Sequence, residues 1–422
     1  MMSLGCRATR LLGMLVGTAL VLAAPNTAGG PGDAGTAGEG YTKDFEAFVQ
    51  EVDRSYPFFD LKRIRKDWKL AKTRLAKRVR DCQADDEFLL VVLDAVRCLR
   101  DAHMSVRPRS GRIPETPKRY YPGLAFLPAE DRQVVLMHPP PGREATMKIG
   151  TVITKIDGKP AREFLEDRAA ASWNEGGFFS SPQRARLFVY RIPLQGEKGD
   201  VHTLHYRDGG REKKVALGSD REVSGWPHTY NLPADLQRER GSFFFTRLPS
   251  GVGYMYWRRV DDTIGAGISR AVAAVPDAQG WIVDLRGNGG GGYDQALIDR
   301  MKGLPRPVAA ILDAGCVSAG ETVARDLATL ADARLFGQPT AGSSTAKREW
   351  TFPSGIATVV FSTRSRSGIG GKPIEFNGIE PHVEVEAVPG EVLAGRNSEI
   401  LRAEAHLLEQ VRRAGSHPHR LR

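Results

Sequence analysis

Cysteine is rare in this sequence, and its cysteines and histidines are not arranged as metal ligands. The chain has 4 cysteines in 422 residues, and none belongs to a Cys/His cluster with the spacing of a structural zinc site. Cys82 and Cys98 fall in adjacent helical segments, where they either pair in an oxidising compartment or stay free and buried. We therefore expect no structural metal, and we predict no cofactor.

Long apolar runs are also absent, except at the N-terminus. There, residues 11–22 are almost entirely apolar and follow Arg7 and Arg10. The run is short for a membrane span, and small residues come after it, so it predicts a secretory signal peptide over residues 1–28. An uncleaved anchor remains the alternative. We expect an exported protein, periplasmic or extracellular, with no membrane span after cleavage.

The charge of the chain is not concentrated in one region. The formal net charge is +10, but the basic residues are spread along the chain, which favours solubility and gives no nucleic-acid footprint. We therefore predict no nucleic-acid partner. The apolar content is that of a soluble globular protein, and the length suggests two or three domains.

One stretch carries two turns that are suited to chemistry. Residues 281–284 form a short apolar strand, and the four glycines 289–292 then allow a tight turn with uncovered backbone amides. Residues 293–301 favour helix, 308–312 form a second strand, and Ser318 follows between small neighbours. A serine on a strand-to-helix turn, beside bare amides, can place its hydroxyl and two backbone donors around one carbonyl.

Simpler interpretations exist for each turn alone. Ser318 by itself would be an ordinary helix N-cap, and a glycine run after a strand is often a plain turn or a phosphate site. No Gly-Lys-Ser/Thr follows the glycines, so a phosphate site is disfavoured. Cys316 is expected to be a core residue and not a nucleophile. The pairing of the two turns is what points to catalysis.

Four sequence blocks in a fixed order resemble one known family. They are Val-Asp-Leu-Arg-Gly-Asn-Gly-Gly-Gly (283–291), Val-Ser-Ala-Gly-Glu (317–321), Phe-Gly-Gln-Pro-Thr-Ala-Gly (336–342) and Asn-Gly-Ile-Glu-Pro (377–381). This pattern is similar to that of the C-terminal-processing (tail-specific) and tricorn-core serine proteases. The resemblance implies an α/β fold with a crotonase-like ββα-superhelix catalytic domain.

The same resemblance assigns roles to the residues in these blocks. It implies that Ser318 is the nucleophile, and that the amides of Gly289, Gly290 and Ala319 form the oxyanion hole. Glu375 matches the glutamate of the tricorn-like branch, where it either orients the base or binds a substrate amine. A solvated strand glutamate is the alternative for this position.

The general base is His103 or Lys347. Asp101-Ala102-His103 is similar to the Asp-Gly-His block of the tricorn-like branch, in which the histidine is the base, and imidazole suits proton transfer near neutral pH. The processing branch instead has a lysine directly after its Thr-x-Gly, where this chain has Ser343. Lys347 is the next candidate, but its surroundings in sequence are not apolar enough to desolvate it. The Ser/His arrangement is therefore preferred.

The remainder of the chain is divided by its hydrophobic patterns. Ile64, Trp68, Ala71, Leu75 and Val79 recur at helical spacing, and residues 115–220 alternate as strands, with a helical stretch inserted from 161 to about 191. Residues 351–362 and 374–378 suit a hairpin-rich cover. The predicted segments after the signal peptide are a flexible linker (29–40), an N-terminal helical unit (41–112), a PDZ-like β-rich domain (113–220), the protease domain (243–413) and a disordered tail (414–422).

The PDZ-like domain gives a candidate peptide site. Gly123, Leu124 and Phe126 lie where such domains receive a peptide's terminal carboxylate on backbone amides. A scaffold domain without a ligand is the alternative, because the inserted helical stretch departs from an ordinary PDZ pattern.

The function expected from the sequence is that of an exported serine endopeptidase acting on proteins or peptides, with recognition of their C-termini as one mode. The alternatives are an inactive peptide-binding protein of the same fold, a Ser/Lys-dyad processing protease, and a crotonase-like acyl-thioester enzyme. The signal peptide and the PDZ-like insertion count against the last.

Overall fold

The computed structural model describes residues 34–224, 230–239 and 241–415. The predicted signal peptide (1–28) lies outside these residues, as does the tail from 416 onward. Within the described part, no helix is both long and apolar enough to cross a membrane.

The described chain is a mixture of helices and strands. The helices are α1 (Ala34–Ser55), α2 (Arg65–Arg80), α3 (Asp85–Cys98), α4 (Ala161–Asn174), α5 (Pro182–Arg191), α6 (Ile264–Ala274), α7 (Gln295–Lys302), α8 (Ala319–Leu330), α9 (Pro389–Leu393) and α10 (Ser398–Gly415), with a 3₁₀ turn at Ile369–Gly371. The strands are β1 (Ser105–Pro108), β2 (Tyr120–Tyr121), β3 (Ala125–Ala129), β4 (Gln133–His138), β5 (Val152–Ile156), β6 (Lys159–Pro160), β7 (Val201–Asp208), β8 (Arg211–Gly218), β9 (Arg221–Glu222), β10 (Gln237–Arg238), β11 (Phe243–Arg247), β12 (Gly253–Trp257), β13 (Trp281–Asp284), β14 (Val308–Leu312), β15 (Arg334–Gly337), β16 (Thr345–Thr351), β17 (Ala357–Ser365) and β18 (Val383–Glu384).

The chain forms two compact units, of which the first contains residues up to 119 together with 171–179 and 347–363. Its core is built from α1, α2, α3 and a sheet in the order β1-β17-β16. Trp68, Leu75 and Val79 are buried on one face of α2, which confirms the helical pattern there. Each fully buried side chain of this size contributes about 1.5–3 kcal/mol through the hydrophobic effect.

The predicted flexible linker (29–40) is wrong over its last residues, because α1 begins at Ala34. The amphipathic part of this helix buries Phe45, Phe48 and Val52. Once packing has fixed those turns, each further residue adds a hydrogen bond without a new nucleation cost. Composition alone does not show this extension.

The second unit contains residues 120–170, 180–346 and 364 onward, and its first part is a β-rich sheet in the order β3-β4-β5-β7-β8. Asp157 and Gly158 form the predicted Asp-Gly turn after β5, with φ of 49° and 82°, as a tight hairpin turn with two left-handed residues requires. The predicted helical insertion is present as two helices, α4 and α5.

The second part of this unit is a seven-stranded sheet in the order β10-β11-β12-β13-β14-β15-β18. From β12 to β18 the neighbouring strands are parallel. Parallel neighbours end at the same edge of a sheet, so the segments that follow β13, β14 and β15 meet there. These segments carry the glycine turn, Ser318 and the Thr340–Ser343 turn.

Helices cover both faces of this sheet, as the apolar strand sequences require. Trp281 and Val283 pack with α6, α7 and α8, whereas Ile282 packs with α10 on the other face. Packing on both faces of the sheet fixes the edge at which the segments after β13, β14 and β15 meet.

The predicted hairpin-rich cover is present where β16 and β17 pair, but it is wrong over residues 374–378, which form turns. Phe376 has φ 70° and Gly378 has φ 75°, which a strand does not allow. The segment instead packs against the Thr340–Ser343 turn, where the Phe376 N–H donates to the carbonyl of Gly342 at 2.7 Å.

Candidate active site

Ser318 lies on a sharp turn between β14 and α8. Its backbone has φ 57° and ψ −121°, a conformation that costs a non-glycine residue on the order of 1–3 kcal/mol and is typical of functional positions. Its N–H donates to the carbonyl of Ser343 at 2.8 Å and to Glu321 Oε2 at 3.2 Å. The turn therefore holds the half-buried Ser318 in one conformation at the N-terminus of α8.

Asp313 links the serine turn to the glycine turn. Its Oδ1 accepts hydrogen bonds from the N–H groups of Gly287 and Gly315, each at 2.9 Å. Its Oδ2 accepts one from the Tyr230 hydroxyl at 2.6 Å. A buried carboxylate shared in this way fixes the spacing of the two turns.

The glycine turn packs directly against Ser318. A Cβ on Gly290 would lie 2.8 Å from the Ser318 Cβ and 2.9 Å from the carbonyl oxygen of Val317. Gly290 also has φ 71°, which side chains disfavour. Glycine is therefore required here for a close approach to the serine.

We expect Gly290→Ala to lower kcat/KM for peptide hydrolysis by at least about 100-fold, as loss of oxyanion stabilisation does in acyl-transfer enzymes. The added methyl group displaces Ser318 or the amides beside it. Gly292→Ala is the matched control, since a Cβ there meets no atom within 4 Å. Steady-state hydrolysis of one peptide substrate by both variants checks this. Equal losses in the two variants would contradict the close packing at Gly290.

Of the three predicted oxyanion donors, Gly289 and Gly290 use their N–H groups within the fold of the turn. The N–H of Gly289 donates to the Arg258 carbonyl at 2.9 Å, and the N–H of Gly290 donates to Asn288 Oδ1 at 2.9 Å. Neither group is available to a substrate in this conformation. Among the described residues, the N–H groups of Ala319 and Gly291 donate to no acceptor.

Glu375 is fully buried and lies next to the turn that holds Ser318. Its Oε2 accepts a hydrogen bond from the N–H of Ser344 at 3.2 Å, and the Ser344 hydroxyl donates to the Ser318 carbonyl at 3.3 Å. The N–H of Glu375 donates to Ser365 Oγ at 2.9 Å. This burial contradicts a solvated strand glutamate.

Cys316 is unsuited to nucleophilic chemistry. It is fully buried, and burial raises the pKa of its thiol, so the reactive thiolate is disfavoured. Cys82 and Cys98 are free thiols in the structure. The alternative of a Cys82–Cys98 disulfide is therefore not realised.

His103 belongs to the first unit and follows the buried carboxylate of Asp101. Asp101 Oδ1 accepts hydrogen bonds from the His103 backbone N–H at 2.9 Å and from the Ser362 hydroxyl at 3.0 Å. Withdrawal of the ring from water lowers the pKa of His103 to about 4, although the negative Asp101 opposes this. The imidazole is therefore neutral at pH 7, the state in which it accepts a proton.

Lys347 also belongs to the first unit, on β16, and the residue as a whole is exposed although its charged end is partly desolvated. Partial burial and the positive charge of Arg107 lower its pKa. Exposure keeps the ammonium partly hydrated, so this lysine is a poor candidate for a base that must be neutral at pH 7.

Asp101 forms a buried ion pair with Lys62. Their charged atoms are 3.6 Å apart, and both side chains are fully buried. Burial raises the pKa of Asp101, but Lys62, His103 and the hydrogen bonds together bring it below its ordinary value. The carboxylate is thus ionised at neutral pH.

We expect Lys62→Met to destabilise the protein by about 3–5 kcal/mol, because it leaves a buried carboxylate without its counter-charge. Lys213→Met is the control, since the Lys213–Asp208 pair is exposed and such pairs contribute about 0–1 kcal/mol. Chemical denaturation of both variants measures the difference. A loss below about 1 kcal/mol for Lys62→Met would contradict a structural role for the pair.

The three predicted peptide-binding residues have different surroundings, and one of them lines a cavity. Gly123 has φ 80° and packs against Pro141, and Leu124 is buried in the core of the β-rich sheet. Phe126 lines a cavity of about 80 Å³ between β3, α5 and the segments after β14 and β15. The cavity is also lined by Tyr190 and Tyr230.

The N-terminal end of α5 is hydrogen-bonded to the segments around Ser318. The Ser181 hydroxyl donates to the Ala341 carbonyl at 2.6 Å, and Arg184 donates to the Ala314 carbonyl at 2.8 Å. Gln183 Nε2 donates to the carbonyl of Thr340 and to those of residues 376 and 377. The inserted helix therefore supports the site.

The sequence motifs did not identify Asp101, Asp313 or Glu321 as site-building residues. Asp101 and Asp313 come shortly after a helix and a strand, and Glu321 lies in the first turn of a helix. Each is an acidic residue among apolar neighbours, which is the signal that the sequence offered. In the described residues, no group of three or more His, Cys, Asp or Glu side chains is placed to hold a metal ion.

Comparison with known proteins finds a family match over part of the chain and solved structures of similar fold. Residues 294–385 match the model of peptidase family S41, and no curated protein matches the chain. The crystal structure of mature CPAF is 13% identical with a TM-score of 0.63, covering 90% of this chain and 99% of that one. The photosystem II D1 C-terminal processing protease (15% identity, TM-score 0.38, 82% and 92% coverage) and the tricorn protease (16%, 0.41, 89% and 37%) are more distant in structure.

The match to family S41 confirms the resemblance indicated by the four sequence blocks. Three of those blocks, at 317–321, 336–342 and 377–381, lie inside the matched residues. The likeness to mature CPAF shows that the two chains share a fold, which in this chain is a mixture of helices and strands. Together, the family match and the fold support a serine-type peptidase.

Proposed function

We propose that the protein is an exported serine endopeptidase in which Ser318 attacks the carbonyl carbon of a peptide bond. The observation that carries the proposal is the strained turn at Ser318, with φ 57°, at the N-terminus of α8 and against the glycine turn. A serine held in this way has its hydroxyl presented at the edge of the sheet, as in other nucleophile elbows.

The oxyanion of the tetrahedral intermediate is stabilised by the N–H groups of Ala319 and Gly291. Ala319 is the first residue of α8, where backbone N–H groups and the helix dipole favour negative charge. Gly291 follows Gly290, which packs on Ser318, and its N–H has no acceptor among the described residues. Ala319 is one of the three donors expected from the sequence, and Gly291 takes the place of Gly289 and Gly290.

His103 takes the proton of the Ser318 hydroxyl and returns it to the leaving amine. Its neutral state at pH 7 supports this role, and the exposure of Lys347 disfavours the alternative base. Asp101 positions His103 through its backbone N–H. Glu375 accepts the N–H of Ser344 on the turn after Ser343, and its proposed role is to orient the base or a substrate amine.

The substrates are proteins or peptides, and the β-rich domain is a PDZ-like module of the same enzyme. The cavity beside Phe126 and α5 is a candidate site for a peptide C-terminus, and α5 connects it to the segments around Ser318. The apolar N-terminal run supports export to the periplasm or the extracellular space. The catalytic domain is of the crotonase-like type.

The proposal is tested by incubating the purified mature protein with fluorescein-labelled casein and measuring the release of small peptides. We expect release by the wild-type protein and none by Ser318→Ala. The second candidate, an inactive peptide-binding protein, is favoured by the replacement of the dyad lysine with Ser343. It would release no peptides from casein or from any C-terminal peptide that it binds.

A further inference from the structure

Glu321 is a buried carboxylate that the proposed reaction does not use. It lies on the first turn of α8, three residues after Ser318, and is fully buried. No cation forms a salt bridge with it among the described residues. A buried charge without an ion pair needs several hydrogen-bond donors to be retained.

Four donors converge on this carboxylate. Glu321 Oε1 accepts from the Thr340 hydroxyl and from the Gly342 N–H, each at 2.7 Å. Its Oε2 accepts from the Ser343 N–H at 2.9 Å and from the Ser318 N–H at 3.2 Å. All four partners are donors, so the surroundings are complementary to an ionised carboxylate, which only accepts.

These contacts join the nucleophile to the neighbouring turn. The carbonyl of Ser343 accepts the Ser318 N–H at 2.8 Å, so Glu321 and Ser343 together hold the serine backbone. We propose that Glu321 is a positioning residue, which must be ionised to keep Ser318 and the Thr340–Ser343 turn in the geometry of attack. The proposal rests on Ser318 being the nucleophile.

The charged and titratable groups around Glu321 are few. Arg184, on α5, interacts electrostatically with it and favours its ionised form. Cys316 is a buried thiol of raised pKa, so it is neutral in this range. Glu375 accepts the N–H of Ser344, the next residue on the same turn. The N-terminus of α8 also favours the carboxylate.

The balance of these effects places the titration of Glu321 in the neutral range. Burial raises its pKa to about 7, although the four hydrogen bonds oppose the shift. A proton on either oxygen turns an acceptor into a donor that faces another donor, so at least one hydrogen bond is lost. His103, with a pKa of about 4, is already neutral at that point. We therefore expect an acid limb near pH 7 in the reactivity of Ser318, and we assign it to Glu321 and not to the histidine.

The first test is the rate of covalent labelling of Ser318 by a fluorophosphonate between pH 5 and pH 9. We expect the wild-type rate to fall below about pH 7, as the titration of Glu321 requires. Glu321→Gln presents an amide donor in place of one oxygen and does not titrate. We expect its rate to be at least about 10-fold lower at pH 8 and nearly constant with pH.

A second pair of variants keeps the carboxylate and changes one donor. Thr340→Val removes the hydroxyl that favours the ionised form, so the acid limb is expected to move to higher pH by about one unit. Thr340→Ser retains the hydroxyl and is expected to restore the wild-type profile. If the Thr340 hydroxyl only supports the structure, Thr340→Val would change the labelling rate without moving the acid limb. That result would overturn the proposal.

The melting temperature gives a readout that does not depend on activity. A raised carboxyl pKa means that the folded state binds the proton more tightly than the unfolded state, so this group lowers stability as pH rises from about 4.5 to 7. The melting temperature of Glu321→Gln relative to wild type should therefore increase from pH 5 to pH 8. A constant difference would overturn the proposed titration.

These outcomes distinguish the proposal that Ser318 is the nucleophile from the proposal that Glu321 positions it. If the wild-type protein is not labelled at any pH, the proposed nucleophile is wrong, whatever the melting curves show. If it is labelled and Glu321→Gln keeps both the wild-type rate and the limb near pH 7, only the role of Glu321 is wrong.

Discussion

Replacement of Ser318 by alanine is expected to lower peptidase activity by about 10⁴- to 10⁶-fold, as loss of the nucleophile does in other serine proteases. The residual rate would come from the oxyanion donors and from substrate binding alone. The measurement is kcat/KM on a fluorogenic peptide that the wild-type protein cleaves. An activity within 10-fold of wild type would contradict the assignment.

The loss must be separated from misfolding. Ser318 is half-buried, and its φ of 57° is strained for alanine as well as for serine. Ser318→Gly removes this strain and is expected to be as inactive as Ser318→Ala, with a melting temperature at or above that of wild type. Ser269→Ala is the matched control, because that hydroxyl donates to the Gly265 carbonyl on its own helix α6, away from the serine turn in sequence. It should retain full activity.

Replacement of His103 by glutamine is expected to lower kcat by about 10³- to 10⁶-fold, the range seen when the general base of a serine protease is removed. KM should change little, because the imidazole acts on the serine proton and not on substrate binding. The control is His205→Gln on β7, a half-buried histidine of the β-rich sheet. It should leave kcat unchanged.

The same experiment distinguishes the two candidate bases. Lys347→Met is expected to retain most of the activity, because the exposed position of this residue disfavours the neutral form that a base requires. If Lys347→Met is inactive while His103→Gln is active, the Ser/Lys arrangement holds and the role assigned to His103 is wrong. Both variants are measured at pH 8, well above the pKa of His103. At that pH, the protonation of His103 does not contribute to the difference in activity between the two variants.

The sequence predicted the elements that position Ser318 because local patterns determine them. The apolar run Val308–Leu312 forms β14 as expected, and the helix expected from Ala319 is α8. Parallel neighbours then bring the ends of β13, β14 and β15 to one edge. The spacing of the glycine and serine blocks was therefore sufficient to place both turns together.

The expectation that Gly289 and Gly290 act as oxyanion donors beside Ala319 depends on peptide orientation, which the sequence does not fix. A run of glycines allows several turns, and sequence does not show which N–H groups the turn itself uses. Here the Arg258 carbonyl takes the Gly289 N–H, and the Asn288 side chain takes that of Gly290. Both acceptors come from the fold around the turn. A similar limit applies to residues 374–378, whose turns are set by packing on Gly342.

Glu321 was visible in the sequence only as a residue of the Val-Ser-Ala-Gly-Glu block. An acidic residue three positions after a helix N-cap is common and usually caps the helix. Its burial follows from the sheet order, which brings the Thr340–Ser343 turn over the start of α8. The number of donors around the carboxylate is thus a property of the tertiary structure.

The most direct test of the central claim is to map the residue that a fluorophosphonate modifies. The wild-type protein is treated at pH 8, digested, and analysed by mass spectrometry. The account predicts a single adduct on Ser318, which disappears in Ser318→Ala and is slowed in His103→Gln. An adduct on Ser343 or Ser344 in place of Ser318, or none under conditions in which the protein cleaves casein, would contradict the assignment of Ser318 as the nucleophile.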